Sequence, residues 1–194
     1  GDGGGRGWGG DSGRWPGEVV HVCSQGVEPA RDAVGATRDA IARPIGCASL
    51  VDVVRGARTA TVVASDHTRE TAARTLVPVV IDCLVSAGVP ASGITILIAY
   101  GNHGRATSDV VRSLIGDVDP RVEIAHHDSR DDAQLIGLGP LPSGVELRLN
   151  RRVVEAEALV VTGAITFHYH AGFTGGRKGV LPGVASCENV LANH

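Results

Sequence analysis

The segments Thr59-Ala60-Thr61-Val62-Val63-Ala64 and Ile94-Thr95-Ile96-Leu97-Ile98-Ala99 decide the fold of this 194-residue chain. Each is a short apolar run rich in β-branched residues, which is typical of strands buried on both faces of a parallel sheet. A segment of helical composition, Glu70 to Ala87, lies between them. This alternation predicts an α/β fold with a mainly parallel sheet and helices on both faces.

The alternation of strand-like and helix-like segments continues on both sides of this pair. We therefore expect residues 18–194 to form one Rossmann-like α/β domain, with its ligand site at the carboxyl ends of the strands. Residues 1–17 are expected to be a glycine-rich flexible segment. The other predicted strands are 18–23, 122–126, 145–149 and 158–161, and the other predicted helices are 28–42, 49–54, 107–114 and 151–156.

Composition argues against several classes of function. The chain carries 18 basic and 21 acidic residues, a net charge of −3, and shows no basic stripe, so nucleic acid is not an expected partner. No apolar run approaches the roughly 20 residues of a membrane helix. The four cysteines are not spaced as zinc ligands and fit thiols in a reducing cytosol, so we expect a cytoplasmic protein.

Polar segments follow four of the predicted strands directly. The carboxyl ends of parallel strands meet at one edge of the sheet, where open α/β folds bind their ligands. We therefore expect the four segments to line one site. They are Ser65 to Arg69, Tyr100 to Arg105, His126 to Asp128, and Thr162 to Ile165.

The run from His168 to Lys178 carries the strongest chemical signal. His168 and His170 are two residues apart, a spacing that could chelate a metal. Gly175 and Gly176 permit close approach of the backbone to a ligand, and the neighbouring Lys178 can carry a covalent adduct or meet a phosphate. The run predicts a site for a phosphorylated cofactor that can hold a metal.

Other polar residues leave alternatives open. Arg69 could clamp a carboxylate or pair with a neighbouring acid. Asp66 could hold a ribose hydroxyl or orient a histidine, although taken alone it fits a helix N-cap better. His103 lies on a glycine-flanked loop, where a functional and a structural role are equally open. His126 and His127 should point to opposite faces of a strand, so at least one of them is expected to be structural.

Taken in order, these motifs resemble the lactate racemase family, whose members use a nickel-pincer nucleotide. The likeness covers residues 44–194, and the segment AGFTGGRK, residues 171–178, is its most diagnostic part. The motifs that carry it are Pro44-Ile45-Gly46, Ser65 to Arg69, Gly101-Asn102-His103, His127-Asp128, Gly163-Ala164-Ile165, His168 to Lys178, Pro182-Gly183 and Asn193-His194.

The resemblance implies a role for each matching residue. Lys178 would bond covalently to the cofactor, and His194 would complete the nickel coordination. His103 and His168 would be the acid–base pair, and Arg69 would hold the substrate carboxylate. The residues expected to contact the cofactor besides Lys178 are Ser65, Asp66, Gly175 and Gly176.

The implied activity is that of an isomerase, a nickel-dependent racemase or epimerase of a 2-hydroxy acid, with lactate as the default. The implied route is proton-coupled hydride transfer, and each mirror-image substrate needs its own base. The implied partners are a small-molecule 2-hydroxy acid and the enzymes that make the cofactor. Because the chain begins on Gly1 and ends on His194, we expect it to be an N-terminal part with weak or no activity alone.

Two departures from the family pattern leave the substrate open: Glu70 stands where the family has proline, and His170 adds an imidazole. Two other functions remain as alternatives. One is a non-catalytic α/β module that binds a nucleotide or phosphorylated metabolite through residues 171–183. The other is a hydrolase with a zinc or iron site built from His126, His168 and His170.

Overall fold

The computed structural model describes residues 28–69, 71–168 and 171–193. The chain divides into two compact units, Gly1–Ala30 and Arg31–His194, and the fold lies in the second. The predicted flexible segment 1–17, the predicted strand 18–23, His170 and His194 lie outside the described residues.

The described elements follow the predicted alternation closely. No helix in these ranges is both long enough and apolar enough to span a membrane. The helices are α1 (Ala33–Ala42), α2 (Leu50–Val53), α3 (Ala73–Ser86), α4 (Ser108–Ile115), α5 (Arg151–Val154) and α6 (Cys187–Asn193). The strands are β1 (Ala60–Ser65), β2 (Ile94–Ala99), β3 (Glu123–His126), β4 (Leu135–Pro140), β5 (Glu146–Asn150), β6 (Ala158–Val161), β7 (Phe167–His168) and β8 (Gly172–Phe173).

The central sheet has the strand order β3-β2-β1-β6, and all of its pairs are parallel. This confirms the predicted mainly parallel α/β fold. β1 pairs with β2 on one side and with β6 on the other, so Val62 lies between Ile96 and Val160. Ser65 is the register partner of Ala99, and the segments that leave β1 and β2 therefore start side by side.

Alternate residues of β1 and β2 enter two separate cores. Val62 and Ile96 pack in the larger core, which includes residues of α3 and α4. Val63 and Leu97 face the other way and pack with Val153 of α5 and with Val184. Both faces of these strands are covered by apolar cores, so neither face carries polar side chains. This explains the continuous apolar runs in the sequence.

Two helix starts and one strand pairing differ most from the predictions. α1 begins at Ala33 rather than at residue 28, because Asp32 caps it by accepting a hydrogen bond from Gly35 N at 2.8 Å. α3 begins at Ala73 rather than at residue 70, after Ala72 in the left-handed conformation (φ 51°). β5 lies in a separate antiparallel pair with β4. β4 was not predicted, because its two glycines and its proline disfavour a strand.

A buried histidine ties β5 to the end of β3. His127 is only 3% exposed, and its Nε2 donates to Ala185 O at 3.0 Å. Its Nδ1 accepts from Asn150 Nδ2 at 3.1 Å. The Oδ1 atom of Asn150 accepts a hydrogen bond from Arg152 N at 3.1 Å. Turning the Asn150 amide around would break this bond, so Nδ2 stays directed at His127. A second proton on His127 would therefore face a donor, which disfavours the protonated form.

This arrangement predicts a pH-dependent stability. Burial is the main cause that lowers the pKa of His127 from its ordinary 6.5. The unfolded chain then binds the proton more readily, so the free energy of unfolding should fall as the pH drops below about 6.5. Urea unfolding of the wild type and of His127→Gln, from about pH 8 to about pH 5, checks this. The variant should be less stable at neutral pH and less sensitive to acid.

The matched control is His67→Gln, since His67 is exposed. This variant should keep the acid sensitivity of the wild type. His126 has a pKa lowered by burial as well, so some acid sensitivity should remain in His127→Gln. Equal acid sensitivity in His127→Gln and the wild type would show that His127 is not the group responsible.

Candidate functional site

A cleft of about 480 Å³ opens at the carboxyl ends of β1, β2 and β6. The strand that follows β1 in the parallel sheet, β2, lies on one side of it, and the later strand β6 lies on the other side. The strand order therefore reverses at β1, and such a switch point is the usual ligand site of an open α/β sheet. The cleft brings together most of the residues that the sequence analysis selected, namely Ser65, Asp66, Arg69, His103, Gly175 and Lys178.

Asp66 and His103 form a close pair in this cleft. Asp66 Oδ2 lies 2.6 Å from His103 Nδ1, and the Asp66 side chain is 2% exposed against 44% for His103. An ionised carboxylate only accepts hydrogen bonds, so Nδ1 carries the proton and Nε2 is left as an acceptor. The pair holds His103 in the tautomer that a general base needs.

A local turn fixes the orientation of Asp66. Its Oδ1 accepts from Thr68 N at 2.8 Å and from Thr68 Oγ1 at 2.6 Å, which leaves Oδ2 for His103. The interpretation of Asp66 as a helix N-cap is wrong, because the N-cap of α3 is Ala72 and makes no side-chain capping bond. Orienting a histidine, the alternative named for Asp66, is what the structure shows.

Lys178 places an unpaired amine in the wall of the cleft. Its Nζ is buried and has no hydrogen-bond partner among the described residues. Burial lowers the pKa of Lys178, and the positive charge of Arg69 lowers it further. Both effects favour the neutral amine, which is the nucleophilic form of lysine.

Glycines set the path of the loop that carries Lys178. Gly175 has φ 79°, and a Cβ there would lie 2.9 Å from Ala164 O. A Cβ on Gly179 would lie 2.6 Å from Val161 Cγ1, so the turn after Lys178 rests directly on β6. A side chain at either position would push the loop off the sheet. These two glycines therefore keep the amine in the wall of the cleft.

Arg69 supplies the exposed cation of the site. It is solvent-exposed, lines the cleft and, within the described ranges, takes part in no ion pair. The alternative that it pairs with a neighbouring acid thus finds no support in the described contacts. A guanidinium that lines a cleft and has no acid partner among the described residues is suited to a carboxylate, which it can bind through two parallel hydrogen bonds.

Three of the site residues predicted from the sequence are not among the described residues that line the cleft. Gly176 follows Gly175 but is not among the lining residues. His168 is half-buried on β7, where its Nδ1 accepts from Ala171 N at 3.2 Å, and it is likewise not a lining residue. His194 lies outside the described residues. The roles assigned to these three residues stay predictions.

Several polar residues of the site have no role that the sequence patterns predict. Thr68 orients Asp66, and the Asp-x-Thr spacing, which favours such turns, was the available signal. Asn102 lines the cleft, and its Oδ1 accepts from Ser129 Oγ at 2.8 Å, a contact across 27 residues that no local pattern shows. Thr71 also lines the cleft, and its buried Oγ1 has no partner among the described residues.

Comparison with known sequences gives a family match over nearly the whole chain. Residues 16–194 match the family described as lactate racemase N-terminal domain. The chain is 38% identical over 156 residues to a lactate racemase of Thermoanaerobacterium thermosaccharolyticum, which covers 80% of this chain and 36% of that protein. It is also 38% identical over 152 residues to a lactate racemase of Lactiplantibacillus plantarum, with coverages of 78% and 36%. This chain thus spans 36% of the length of these curated relatives.

Solved structures give the same result. The chain is similar to the lactate racemase apoprotein from Thermoanaerobacterium thermosaccharolyticum, with a TM-score of 0.77, 36% identity, and coverage of 83% of this chain and 39% of that one. A protein from Thermotoga maritima shares the fold, with a TM-score of 0.68, 21% identity, and coverages of 82% and 42%. By the family match and these identities, the chain belongs to the lactate racemase family and corresponds to its N-terminal domain.

Proposed function

We propose that this chain is the cofactor-bearing part of a racemase or epimerase that acts on a 2-hydroxy acid, with lactate as the first candidate. The proposal draws on the named activity of the relatives and on the geometry of the cleft. The match covers only 36% of each of these relatives, so the activity proposed is that of the whole protein. The enzymes that make the cofactor are its proposed partners, and the cytoplasm its proposed location.

The observation that carries the proposal is the buried, unpaired amine of Lys178. An amine without a partner, with a pKa lowered by burial and by Arg69, costs folding energy that no described contact returns. A covalent bond to a cofactor would remove the part of this cost that comes from burying a protonated amine, since the bonded nitrogen would carry no ammonium charge. The described residues therefore fit a nickel-pincer nucleotide attached at Lys178, with Ser65 and Gly175 in the same wall.

The other residues of the cleft fit the remaining steps of a racemisation. The bound cofactor would supply an acceptor and donor of hydride. Arg69 would hold the substrate carboxylate, and His103 Nε2 would take the hydroxyl proton while Asp66 steadies the resulting imidazolium. The product of that step is a planar 2-keto acid, which can be reduced on either face. His168 would serve the opposite enantiomer, and His194 would be a nickel ligand.

The test uses the full-length protein made together with the cofactor-synthesis enzymes. We expect an intact-protein mass increment, nickel bound in proportion to it, and interconversion of D- and L-lactate by chiral chromatography. Malate and sugar acids are screened in parallel, because the substrate rests on the relatives alone. Full-length protein that shows neither the mass increment nor nickel would contradict the proposal.

The hydrolase alternative has no support in the described residues. Across residues 28–69, 71–168 and 171–193, no group of three or more His, Cys, Asp or Glu side chains is arranged to hold a metal ion. His126, one of its three proposed ligands, stacks on Tyr100, and its Nδ1 lies 3.0 Å from the Tyr100 hydroxyl. Zinc bound without an organic cofactor would restore this alternative.

A further inference from the structure

The loop that carries His103 has few contacts beyond that residue. Residues 101–106 join β2 to α4 and belong to no helix or strand. Within the described part of the chain, residues 104–106 make a single hydrogen bond, from Ala106 N to the Tyr100 hydroxyl at 3.3 Å. This bond closes the loop on the tyrosine that precedes it, so the position of His103 depends on where Tyr100 holds its hydroxyl.

Tyr100 is a fixed anchor for this loop. It is 2% exposed and packs in the larger core with residues of β1, β2 and α3. Its hydroxyl oxygen accepts the hydrogen bond from Ala106 N. A hydroxyl also carries one proton, and at a buried site that proton needs an acceptor. A second partner must therefore take this proton if the oxygen is to stay directed at Ala106.

His126 supplies that acceptor from the neighbouring strand. It is the last residue of β3, and its Nδ1 lies 3.0 Å from the Tyr100 hydroxyl. The two rings are stacked, with their centroids 5.9 Å apart and an angle of 8° between their planes. Burial lowers the pKa of His126, which favours the neutral ring, whose Nδ1 can accept. Tyr100 therefore gives its proton to His126, and the lone pairs of the hydroxyl remain for Ala106.

We propose that Tyr100 and His126 are positioning residues that hold His103 against Asp66. The inference rests on the proposed function, in which His103 is the base that takes the hydroxyl proton. Asp66 is buried and fixed by its own turn, so the 2.6 Å contact forms only if the loop brings His103 to it. A displacement of about 1 Å can cost about 10²-fold in rate. The pair acts through the loop, because the Tyr100 hydroxyl is committed to His126 and Ala106.

The first test uses the full-length protein made without the cofactor-synthesis enzymes. In Tyr100→Phe, hydrogen exchange of the backbone amides of residues 101–106, followed by mass spectrometry, should be about 2- to 10-fold faster than in the wild type, the value of one ordinary hydrogen bond. Nitrogen chemical shifts should show that His103 leaves the single tautomer with a proton on Nδ1 for a mixture of both tautomers. Phenylalanine fits the same apolar core, so the melting temperature should fall by no more than about a few degrees.

The second test uses the full-length protein loaded with cofactor. Tyr100→Phe should lower kcat by about 10- to 100-fold, because a displaced base no longer meets the hydroxyl proton. KM should change much less, because Arg69 holds the substrate carboxylate in the proposed function. A general loss of stability would lower the amount of folded protein, and it would not confine faster exchange to one loop.

Two substitutions of His126 separate its acceptor atom from its bulk. His126→Asn places a carboxamide oxygen near the position of Nδ1 and should keep the slow exchange and the kcat of the wild type. His126→Leu has a side chain of similar size but gives Tyr100 no acceptor, so it should shift exchange and kcat in the same direction as Tyr100→Phe. Thr107→Val is the matched control, since the Thr107 side chain stands at the end of the loop and makes no capping bond. It should change neither quantity.

Wild-type exchange over residues 101–106 in Tyr100→Phe, or equal results for His126→Asn and His126→Leu, would overturn the inference. Faster exchange throughout the α/β domain of Tyr100→Phe would also overturn it, because it would show a general structural role. The outcome is separable from that of the racemase proposal. Racemisation at the wild-type kcat in Tyr100→Phe overturns only the positioning role. The expected exchange and His103 shifts in a protein without nickel or racemisation overturn only the proposed activity.

Discussion

Lys178→Arg should abolish covalent loading of the cofactor and reduce racemisation to background in the full-length protein. Arginine keeps the positive charge but stays protonated at any working pH, so it cannot provide the neutral amine that bond formation needs. In the wild type, burial and Arg69 both lower the pKa of this lysine and prepare it for that reaction. Intact-protein mass spectrometry of co-expressed protein measures the loading, and nickel analysis of the same sample measures the metal.

Arg177→Ala is the matched control for this prediction. Arg177 is the exposed residue directly before Lys178 and does not line the cleft. Its replacement should leave both loading and turnover close to the wild type. A full mass increment in Lys178→Arg would show that the cofactor is attached elsewhere, and the assignment of Lys178 would fail even if the protein remained a racemase.

Asp66→Asn should lower kcat by about 10²- to 10⁴-fold, the usual contribution of a positioned general base, with a smaller change in KM. Thr68 N can only donate, so the amide oxygen of the new side chain must take the place of Asp66 Oδ1. The amide NH₂ then faces His103 Nδ1, where it requires an acceptor. His103 is forced into the tautomer with Nε2–H, and the base that faces the substrate is lost.

The tautomer itself supplies a readout that does not depend on turnover. Nitrogen chemical shifts of His103 should report a proton on Nδ1 in the wild type and on Nε2 in Asp66→Asn. His67→Gln, a change of an exposed residue in the same turn, should alter neither the shifts nor kcat. Wild-type turnover in Asp66→Asn would show that the pair seen in the cleft does not act in catalysis.

The parallel sheet was predictable because its signal is local. The runs at β1 and β2 are apolar on both faces, and helices of predictable composition separate them. β4 was missed for a local reason as well: Gly137, Gly139 and Pro140 disfavour a strand, and only its pairing with β5 makes it one. The late start of α3 depends on the left-handed backbone of Ala72, a conformation that its residue type does not favour.

The candidate site was predictable in its residues and not in its contacts. The resemblance to the racemase family and the positions after strands selected Asp66, Arg69, His103 and Lys178, and all four line one cleft. His168 is not among the residues that line the cleft, so its role in the site stays a prediction. His194 lies outside the described residues. No sequence pattern singled out Thr71, whose buried hydroxyl has no partner in the described part of the chain.

The sequence by itself determined which elements form, and with them the edge of the sheet at which polar segments gather, because strand and helix patterns depend on neighbours a few residues away. Only the tertiary structure decided which side chains of those segments contact each other. The parallel register of Ser65 with Ala99 brings Asp66 to His103 across 37 residues. Gly179 lets the turn after Lys178 pack on Val161, and the Lys178 amine is buried without a partner among the described residues. Hydrogen bonding and desolvation act over a few ångströms in space, and distance along the chain does not encode them.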